Sequence, residues 1–270
     1  MPTGFSLGPF TIHYYGIVII LGILIAMVIV KNEADRKNKT LDFLFDAFPW
    51  IFLGGVVGAR LWHILTPPQS MVAHGITTRY YLSHLNEAIA IWKGGAGIIG
   101  SVMGGTLALW IFARIKKEPV SIWLDSIAPG LALAQAVGRW GNFINQEVYG
   151  LPSDLPWAIT INAQHRLPGY EYVDTYHPLF LYEALWSILN MAFLLWMSRK
   201  FQARIRTGNL FLIYLIFYGI GRVGLEYLRL DISSFQGINI NQAFMAVVVL
   251  AASVLFILRQ KNIPVESIIQ

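Results

Sequence analysis

The chain has 270 residues, of which 56% are hydrophobic and 13% charged, with a mean hydropathy of +0.55 and a formal net charge of +5. The charged fraction is about half of the roughly 25% found in soluble domains, so we expect a lipid bilayer to surround most of the chain. The absence of cysteine excludes disulfides and a cysteine nucleophile, and in a membrane protein the positive charge indicates orientation rather than nucleic-acid binding.

Seven apolar stretches follow one another along the chain, and they lie near 13–30, 43–65, 94–113, 122–138, 178–197, 209–228 and 240–258. Each is long enough for the roughly 20 helical residues that cross a bilayer core. We therefore predict an all-α, polytopic transmembrane bundle of about seven spans that forms a single integral membrane domain over residues 1–270. Pro129 and Gly130 interrupt the fourth of these stretches. No Lys or Arg precedes the first span, so we expect it to be retained rather than cleaved.

Basic residues indicate the orientation of these spans. The connections after the first, third and fifth spans and the segment after the seventh hold 13 of the 20 Lys and Arg residues. By the positive-inside rule these segments are cytoplasmic, so the N-terminus is predicted outside and the C-terminus inside. Two long connections, near 66–91 and 140–177, then lie outside, where a substrate would be met.

Three arginines lie in apolar sequence, at Arg60, Arg139 and Arg222. A charge at the centre of a membrane helix costs roughly 2.5 to 3.5 kcal/mol, so each guanidinium needs a partner. Internal pairing is one explanation: Glu226 follows Arg222 by four residues on the same helix face, and Glu147 is another candidate carboxylate. An anionic ligand is the other, because arginine suits bidentate contact with phosphate. In a bilayer the abundant phosphate is a phospholipid head group.

The densest polar segment is GRWGNFINQEVYG, residues 138–150, directly after the fourth predicted span. Its polar side chains are Arg139, Asn142, Asn145, Gln146, Glu147 and Tyr149. Spaced glycines permit close backbone approach, and amides can bind hydroxyls and phosphate oxygens. The segment is therefore a candidate substrate site.

These residues closely resemble the bacterial prolipoprotein diacylglyceryl transferase family, whose signature G-R-x-G-N-F-x-N-x-E-x-x-G they match at every specified position. HYYG at 13–16, HPLFLYE at 177–183 and GIGRVGLEYLR at 219–229 resemble further family segments in the same order. The resemblance implies seven spans and a location in the bacterial plasma membrane. It also implies transfer of the diacylglyceryl group of phosphatidylglycerol to the lipobox cysteine of a preprolipoprotein, which forms a thioether and releases glycerol phosphate.

The chemistry of this reaction leads to a hypothesis about the roles of individual residues. Arg139 and Arg222 are expected to hold the phosphate and stabilise its developing charge, and Asn142, Asn145 and Glu147 to orient the glycerol head group. Tyr15 is a further catalytic candidate. The remaining predicted contacts with phosphatidylglycerol are Gly150, Glu226, His13 and Arg60, where Arg60 could instead only reach the membrane interface.

One departure from the family concerns the third span, where WKGGAGIIG places Ile99 at the position of a histidine proposed as a base. His13, Tyr15, Glu147 and His177 are then the candidates for taking the thiol proton. No span carries the clustered aspartates of a metal-dependent transferase, so neither a metal site nor a cofactor is predicted. A transporter of an anionic lipid or solute is the alternative from another class, and a structural membrane scaffold is a third.

Overall fold

The computed structural model describes residues 4–7, 10–201 and 204–261. Within them, seven helices are long and apolar enough to cross a membrane. These helices are α1 (Tyr14–Asp35), α2 (Asp42–Leu65), α6 (Ile98–Lys116), α7 (Val120–Asn145), α8 (Leu179–Lys200), α9 (Asn209–Leu225) and α10 (Ile240–Lys261). A short 3₁₀ turn, Glu226–Leu228, prolongs α9. The all-α, seven-span prediction is confirmed, and the chain is a multi-pass membrane protein.

Short elements connect the spans. The helical ones are α3 (Gln69–Ala73), α4 (Thr78–Ser83) and α5 (Leu85–Ile89). In the described part of the chain, three two-stranded antiparallel hairpins pair β1 (Gly4–Leu7) with β2 (Phe10–His13) before α1, β3 (Ile159–Thr160) with β4 (Thr175–Tyr176), and β5 (Ser234–Phe235) with β6 (Ile238–Asn239).

Two span boundaries differ from the prediction. The third span begins at Ile98 rather than near 94, because Gly94 and Gly95 take φ values of +85° and +76° that no helix can contain. The fourth span runs unbroken through Pro129 and continues to Asn145. Eight of the thirteen residues of segment 138–150 are therefore helical, and the connection predicted to begin at 140 begins at Gln146.

Backbone contacts divide the chain into two compact units. The first unit comprises residues 1–37, 124–230 and 242–270, and the second comprises 38–123 and 231–241. The organisation of the chain as a single domain stays a prediction.

The second unit is built on close packing of α2 against α6. A Cβ added to Gly58 would lie 2.2 Å from the carbonyl oxygen of Gly100, and one added to Gly104 would lie 2.1 Å from that of Gly54. Only glycine permits such an approach, and small residues four apart are how membrane helices come together. The packing role that this spacing predicts is confirmed.

The first unit packs α1, α7, α8, α9 and α10 by similar contacts. Trp186 of α8 donates its indole N–H to the carbonyl oxygen of Phe217 at 2.9 Å, and a Cβ on Gly221 of α9 would lie 2.1 Å from that indole nitrogen. Asp125 of α7 accepts hydrogen bonds from the backbone N–H of Gly208 at 2.6 Å and of Phe211 at 2.9 Å. A carboxylate thus satisfies the first turn of α9, where the helix dipole favours negative charge.

Residues 146–178, which we call the arm, connect α7 to α8. Its small apolar core contains Tyr149, Ile161 and Tyr176, all nearly buried beside the hairpin β3–β4. The Tyr149 hydroxyl donates to the carbonyl oxygen of His165 at 2.9 Å and accepts from the backbone N–H of Leu167 at 2.8 Å. The arm is therefore an ordered structure next to the end of α7, and it belongs to the same unit.

Candidate active site

The end of α7 folds the residues of segment 138–150 onto one another. Gln146 takes φ +53°, its N–H donates to the carbonyl oxygen of Phe143 at 3.0 Å, and the N–H of Glu147 donates to that of Asn142 at 3.0 Å. This is the Schellman pattern of helix termination. The turn brings the Glu147 carboxylate back to the helix, where its Oε1 accepts from Asn142 Nδ2 at 2.9 Å and from Asn145 Nδ2 at 3.3 Å.

Arg139 lies one turn before Asn142 and connects this turn to α8. Its guanidinium donates to Asn142 Oδ1 at 3.3 Å, and its Nε lies 2.5 Å from Glu183 Oε2. The Arg139 side chain is 14% exposed, whereas that of Glu183 is 4% exposed. A buried carboxylate from the next span therefore fixes one edge of the guanidinium.

Arg222 occupies a more enclosed position between two carboxylates. One terminal nitrogen bonds to Glu183 Oε1, and the other donates to Glu226 Oε2 at 2.7 Å. All three side chains are 7% exposed or less. The predicted Arg222–Glu226 pair is confirmed, but Arg222 also pairs with Glu183.

Arg229 completes the group. Its Nη1 lies 3.5 Å from Glu183 Oε1 and 3.9 Å from Glu226 Oε2, and its side chain is 19% exposed. We call Arg139, Arg222, Arg229, Glu183 and Glu226 the arginine–carboxylate cluster. Three guanidinium groups and two carboxylates give the cluster a formal net charge of +1.

Gly150 is a packing residue at this cluster. It forms an isolated antiparallel bridge with Arg229, and a Cβ at its position would lie 2.8 Å from the Cβ of His177 and 3.0 Å from the carbonyl oxygen of Leu228. The glycine thereby lets the chain around Arg229 approach the beginning of the arm.

A cavity of about 170 Å³ opens beside the turn. It is lined by Asn142, Phe143, Gln146, Glu147, Tyr149, Ile159, Thr160, Ile161 and Phe180. Its polar groups come from the end of α7 and from β3, while aromatic and aliphatic side chains form the remaining wall. Such a mixture of apolar walls and a few polar groups is typical of a small-molecule site.

Tyr15 and His13 lie at the start of α1. The Tyr15 ring packs on α7 so closely that a Cβ at Gly141 would lie 2.3 Å from its Cδ2. Tyr15 therefore lies beside the turn. His13 is exposed and precedes the first residue of α1.

Arg60 belongs to the second unit, where backbone carbonyl oxygens surround it. Its guanidinium donates to those of Glu87 and Gly94 at 2.6 Å, of Ala88 at 2.8 Å and of Gly95 at 3.0 Å. Four of its five donors are thereby occupied. Ile99, at the position of the family histidine, is buried in the same unit.

His177 lies near the end of the arm, next to the start of α8. Its Nδ1 lies 3.2 Å from the hydroxyl of Tyr182, and that hydroxyl accepts from the Trp157 indole N–H at 2.8 Å. The backbone of His177 pairs with Gly150 and Leu151. These contacts give His177 a structural role at the junction between the arm and α8.

Sequence reasoning missed Glu183 and the position of Arg229. Glu183 was visible as an acid within an apolar span, in HPLFLYE, and a buried charge of that kind calls for a partner. From the sequence, Asp231 is the acid nearest to Arg229 and suggests a surface pair of the two. Asp231 instead accepts from the backbone N–H of Ser70 at 3.1 Å and from its hydroxyl at 2.6 Å.

The fold and the cluster define a class of protein: a multi-pass membrane protein with a cationic group of side chains enclosed among its spans. Over residues 2–258 the chain matches the family profile described as prolipoprotein diacylglyceryl transferase. The chain belongs to this family, and it is a transferase.

Individual relatives support the same assignment. The phosphatidylglycerol--prolipoprotein diacylglyceryl transferase of Streptococcus uberis is 36% identical over 273 residues, which cover 97% of this chain and 97% of that protein. The enzyme of that name from Bifidobacterium adolescentis is 36% identical over 268 residues, 95% of this chain and 78% of that protein. The one from Trichormus variabilis is 37% identical over 233 residues, 85% of this chain and 79% of that protein.

Proposed function

We propose that this enzyme transfers the diacylglyceryl group of phosphatidylglycerol to the lipobox cysteine of preprolipoproteins in the bacterial plasma membrane. The observation that carries the proposal is the arginine–carboxylate cluster, a net positive group enclosed among spans and adjoining the turn that lines the cavity. The names of the relatives give the same two substrates.

The reaction is a displacement at carbon. The cysteine sulfur forms a bond to the glyceryl carbon that carries the phosphate, the C–O bond to the phosphate breaks, and its electron pair goes to the departing phosphate oxygen. The thiol proton leaves the sulfur, and the products are a thioether and glycerol phosphate. A free thiol has a pKa of about 8.5, so roughly 3% is ionised at pH 7 without any base. Stabilising the negative charge that develops on the departing phosphate is therefore a larger requirement than removing the thiol proton.

Arg139 is the side chain best placed to stabilise that charge. Its side chain is fixed by Glu183 and Asn142, remains 14% exposed and retains one terminal nitrogen for a ligand. Donors fixed in advance where charge develops supply the largest part of many enzymes' rate enhancement. Arg139 is thus assigned to the phosphate, while Arg222 and Glu226 contribute charge and order from the enclosed side of the cluster.

The cavity is assigned to the glycerol head group. Asn142 and Asn145 direct their amides at Glu147 Oε1, which fixes the carboxylate so that its second oxygen can accept from a hydroxyl. Gln146 and Thr160 add polar groups to the same cavity. Tyr15 beside this turn, His13, Glu147 and His177 stay candidates for the thiol proton.

The direct test is the mass of a lipobox peptide incubated with phosphatidylglycerol and the purified protein. We expect the peptide to gain one diacylglyceryl group and glycerol phosphate to be released. Arg139→Ala should reduce the rate by about 10²- to 10³-fold, as for loss of a fixed oxyanion donor, while Arg79→Gln, an exposed arginine in α4, should behave as the parent. Movement of lipid or solute without a covalent product would favour the transporter alternative instead.

The proposed orientation can be tested separately because the chain contains no cysteine. Tyr172 in the arm is 98% exposed, and Thr40 is exposed between α1 and α2. In intact spheroplasts we expect Tyr172→Cys to react with a membrane-impermeant maleimide and Thr40→Cys to react only after permeabilisation. The reverse pattern would contradict the positive-inside assignment.

A further inference from the structure

We propose that residues 78–97 form a re-entrant segment that contacts lipid acyl chains through a row of exposed apolar side chains. The lipids belong to the leaflet at the Leu65 end of α2, which is the outer leaflet in the predicted orientation. The whole segment lies in the second unit, and none of its exposed side chains takes part in the proposed transfer reaction. The evidence is the level of the segment beside α2, the side chains that it exposes and the donor that satisfies its backbone.

Two hydrogen bonds place the segment beside the last turns of α2. The Thr78 hydroxyl donates to the carbonyl oxygen of Ile64 at 2.8 Å, and the N–H of Gly97 donates to that of Ala59 at 3.0 Å. The helix α6 begins directly after Gly97, whereas α2 continues for six residues beyond Ala59, a rise of about 9 Å. The segment therefore occupies the level of the last turns of α2, where α6 is missing.

Lipid contacts α2 at this same level. An exposed apolar row on that helix consists of Leu53, Val57, Leu61 and Leu65, which are 53 to 62% exposed. Residues four apart share one helix face, and an apolar face left uncovered on a membrane-length helix faces hydrocarbon. Because the row continues to the last residue of α2, the apolar part of the leaflet extends at least that far. Residues 78–97 thus lie within the leaflet rather than outside it.

The segment itself continues this apolar surface. Its large apolar side chains that are 51 to 77% exposed are Leu82, Leu85, Ile89, Ile91 and Trp92. Tyr81 and Ala90 are buried in the protein, so one side of the segment is anchored while the other is uncovered. Such a concentration of exposed apolar side chains is rare in contact with water. Short amphipathic helices that carry tryptophan are typical of membrane interfaces.

Arg60 satisfies the backbone where the segment is not helical. Gly94 and Gly95 take φ values of +85° and +76°, which interrupt the helical hydrogen-bond pattern. The Arg60 guanidinium donates to their carbonyl oxygens and to those of Glu87 and Ala88. Outside the membrane water would satisfy these oxygens, but at membrane depth a protein donor must do so. An arginine in an apolar span is therefore what a re-entrant segment at this position requires.

The charged residues of the segment are compatible with lipid contact. Lys93 Nζ lies 2.6 Å from Glu87 Oε1, and paired charges are the form in which charge is tolerated near hydrocarbon. The aliphatic stem of a lysine can also extend along apolar surface to the head groups. Arg79 lies in α4, whose first residue contacts the end of α2, so it is placed near the anionic head groups that attract arginine.

Fluorescence quenching in vesicles tests the proposal, because the chain contains no cysteine and single cysteines can be labelled with the environment-sensitive dye NBD. The full-length variants Leu85→Cys and Ile89→Cys are reconstituted with phosphatidylglycerol and phosphatidylcholine that carries a nitroxide on one acyl chain. Leu53→Cys in α2 is the lipid reference, and Tyr172→Cys in the arm is the water reference. We expect both segment labels to be quenched about as strongly as Leu53→Cys and several-fold more than Tyr172→Cys. Aqueous iodide should give the reverse order.

Quenching of the segment labels by lipid nitroxide only at the level of Tyr172→Cys would overturn the proposal. Loss of lipid quenching at Ile89→Cys when a lipobox peptide is added would also overturn it, since the surface would then be a peptide-binding site. Should either variant fail to fold in detergent, Leu82→Cys and Trp92→Cys decide by the same criteria. Because no transfer is measured, failure of the proposed function would leave this result unaffected.

Discussion

The two units of the chain both bury arginine in a membrane-length helix, but they treat its charge differently. In the second unit, Arg60 of α2 donates to four backbone carbonyl oxygens and so serves to hold residues 87–95. In the first unit, the buried Arg222 of α9 pairs with two carboxylates, and the partly exposed Arg139 and Arg229 share Glu183 with it and retain free donors. Burial of an arginine therefore does not by itself indicate a ligand. A ligand is indicated instead by the number of guanidinium N–H donors that have no acceptor within the protein.

The largest expected effect comes from removing the carboxylate that the three arginines share. Glu183→Gln should lower the free energy of unfolding by about 3–5 kcal/mol, because it removes the one carboxylate that pairs with all three guanidinium groups and leaves only Glu226 to balance their charge. Thermal unfolding in detergent would measure the loss. Asp154→Asn, an exposed acid in the arm, is the matched control. Parental stability for Glu183→Gln would mean that the cluster is not held together by its charges.

The second prediction concerns Arg60. Arg60→Met removes the guanidinium that donates to four carbonyl oxygens, so the free energy of unfolding should fall by roughly 1–3 kcal/mol, while the KM for phosphatidylglycerol stays within about twofold of the parent. Unfolding and transfer measured on the same preparation would separate the two effects. A raised KM at unchanged stability would erase the contrast between the units and restore Arg60 as a lipid contact.

The smallest effect is expected at Arg166, a third arginine environment. In the arm, Arg166 donates to the carbonyl oxygens of Ile161 and Glu171 and pairs with Asp174 at 2.6 Å, where the Asp174 side chain is 71% exposed. Exposed ion pairs contribute about 0–1 kcal/mol, so Asp174→Asn should change Tm by a few degrees at most and leave transfer unaltered. A large loss of transfer would show that the arm's own ion pair belongs to the site.

Hydropathy predicted the spans well because lipid contact requires a run of apolar residues whatever the packing. Large exposed side chains such as Leu24, Leu53 and Leu250 report only that requirement. The boundary of α7 was harder, since its last turns carry the polar residues Arg139, Asn142 and Asn145 and are nevertheless helical. The two asparagine amides are satisfied by Glu147 in the turn that begins at Gln146. A polar segment after an apolar one looks like a loop when its partners are unknown.

The partners of the arginines could be predicted only where they are close in sequence. Glu226 was found because it follows Arg222 by four residues on one helix. Glu183 lies 39 residues away from Arg222, so only the packing of α8 against α9 reveals it. The acceptors of Arg60 are backbone carbonyl oxygens 27 to 35 residues distant, and no residue pattern marks a carbonyl as an arginine acceptor.

The central claim is that free guanidinium donors determine where the phosphate binds. Its most direct test is the Kd for phosphatidylglycerol of the Arg139→Gln and Arg60→Gln variants, measured in detergent micelles under conditions where both variants are folded. If free donors determine where the phosphate binds, Arg139→Gln raises Kd about tenfold or more, as expected for a lost charge-assisted contact, and Arg60→Gln leaves Kd unchanged. Equal losses in the two variants, or a larger loss for Arg60→Gln, would contradict the claim.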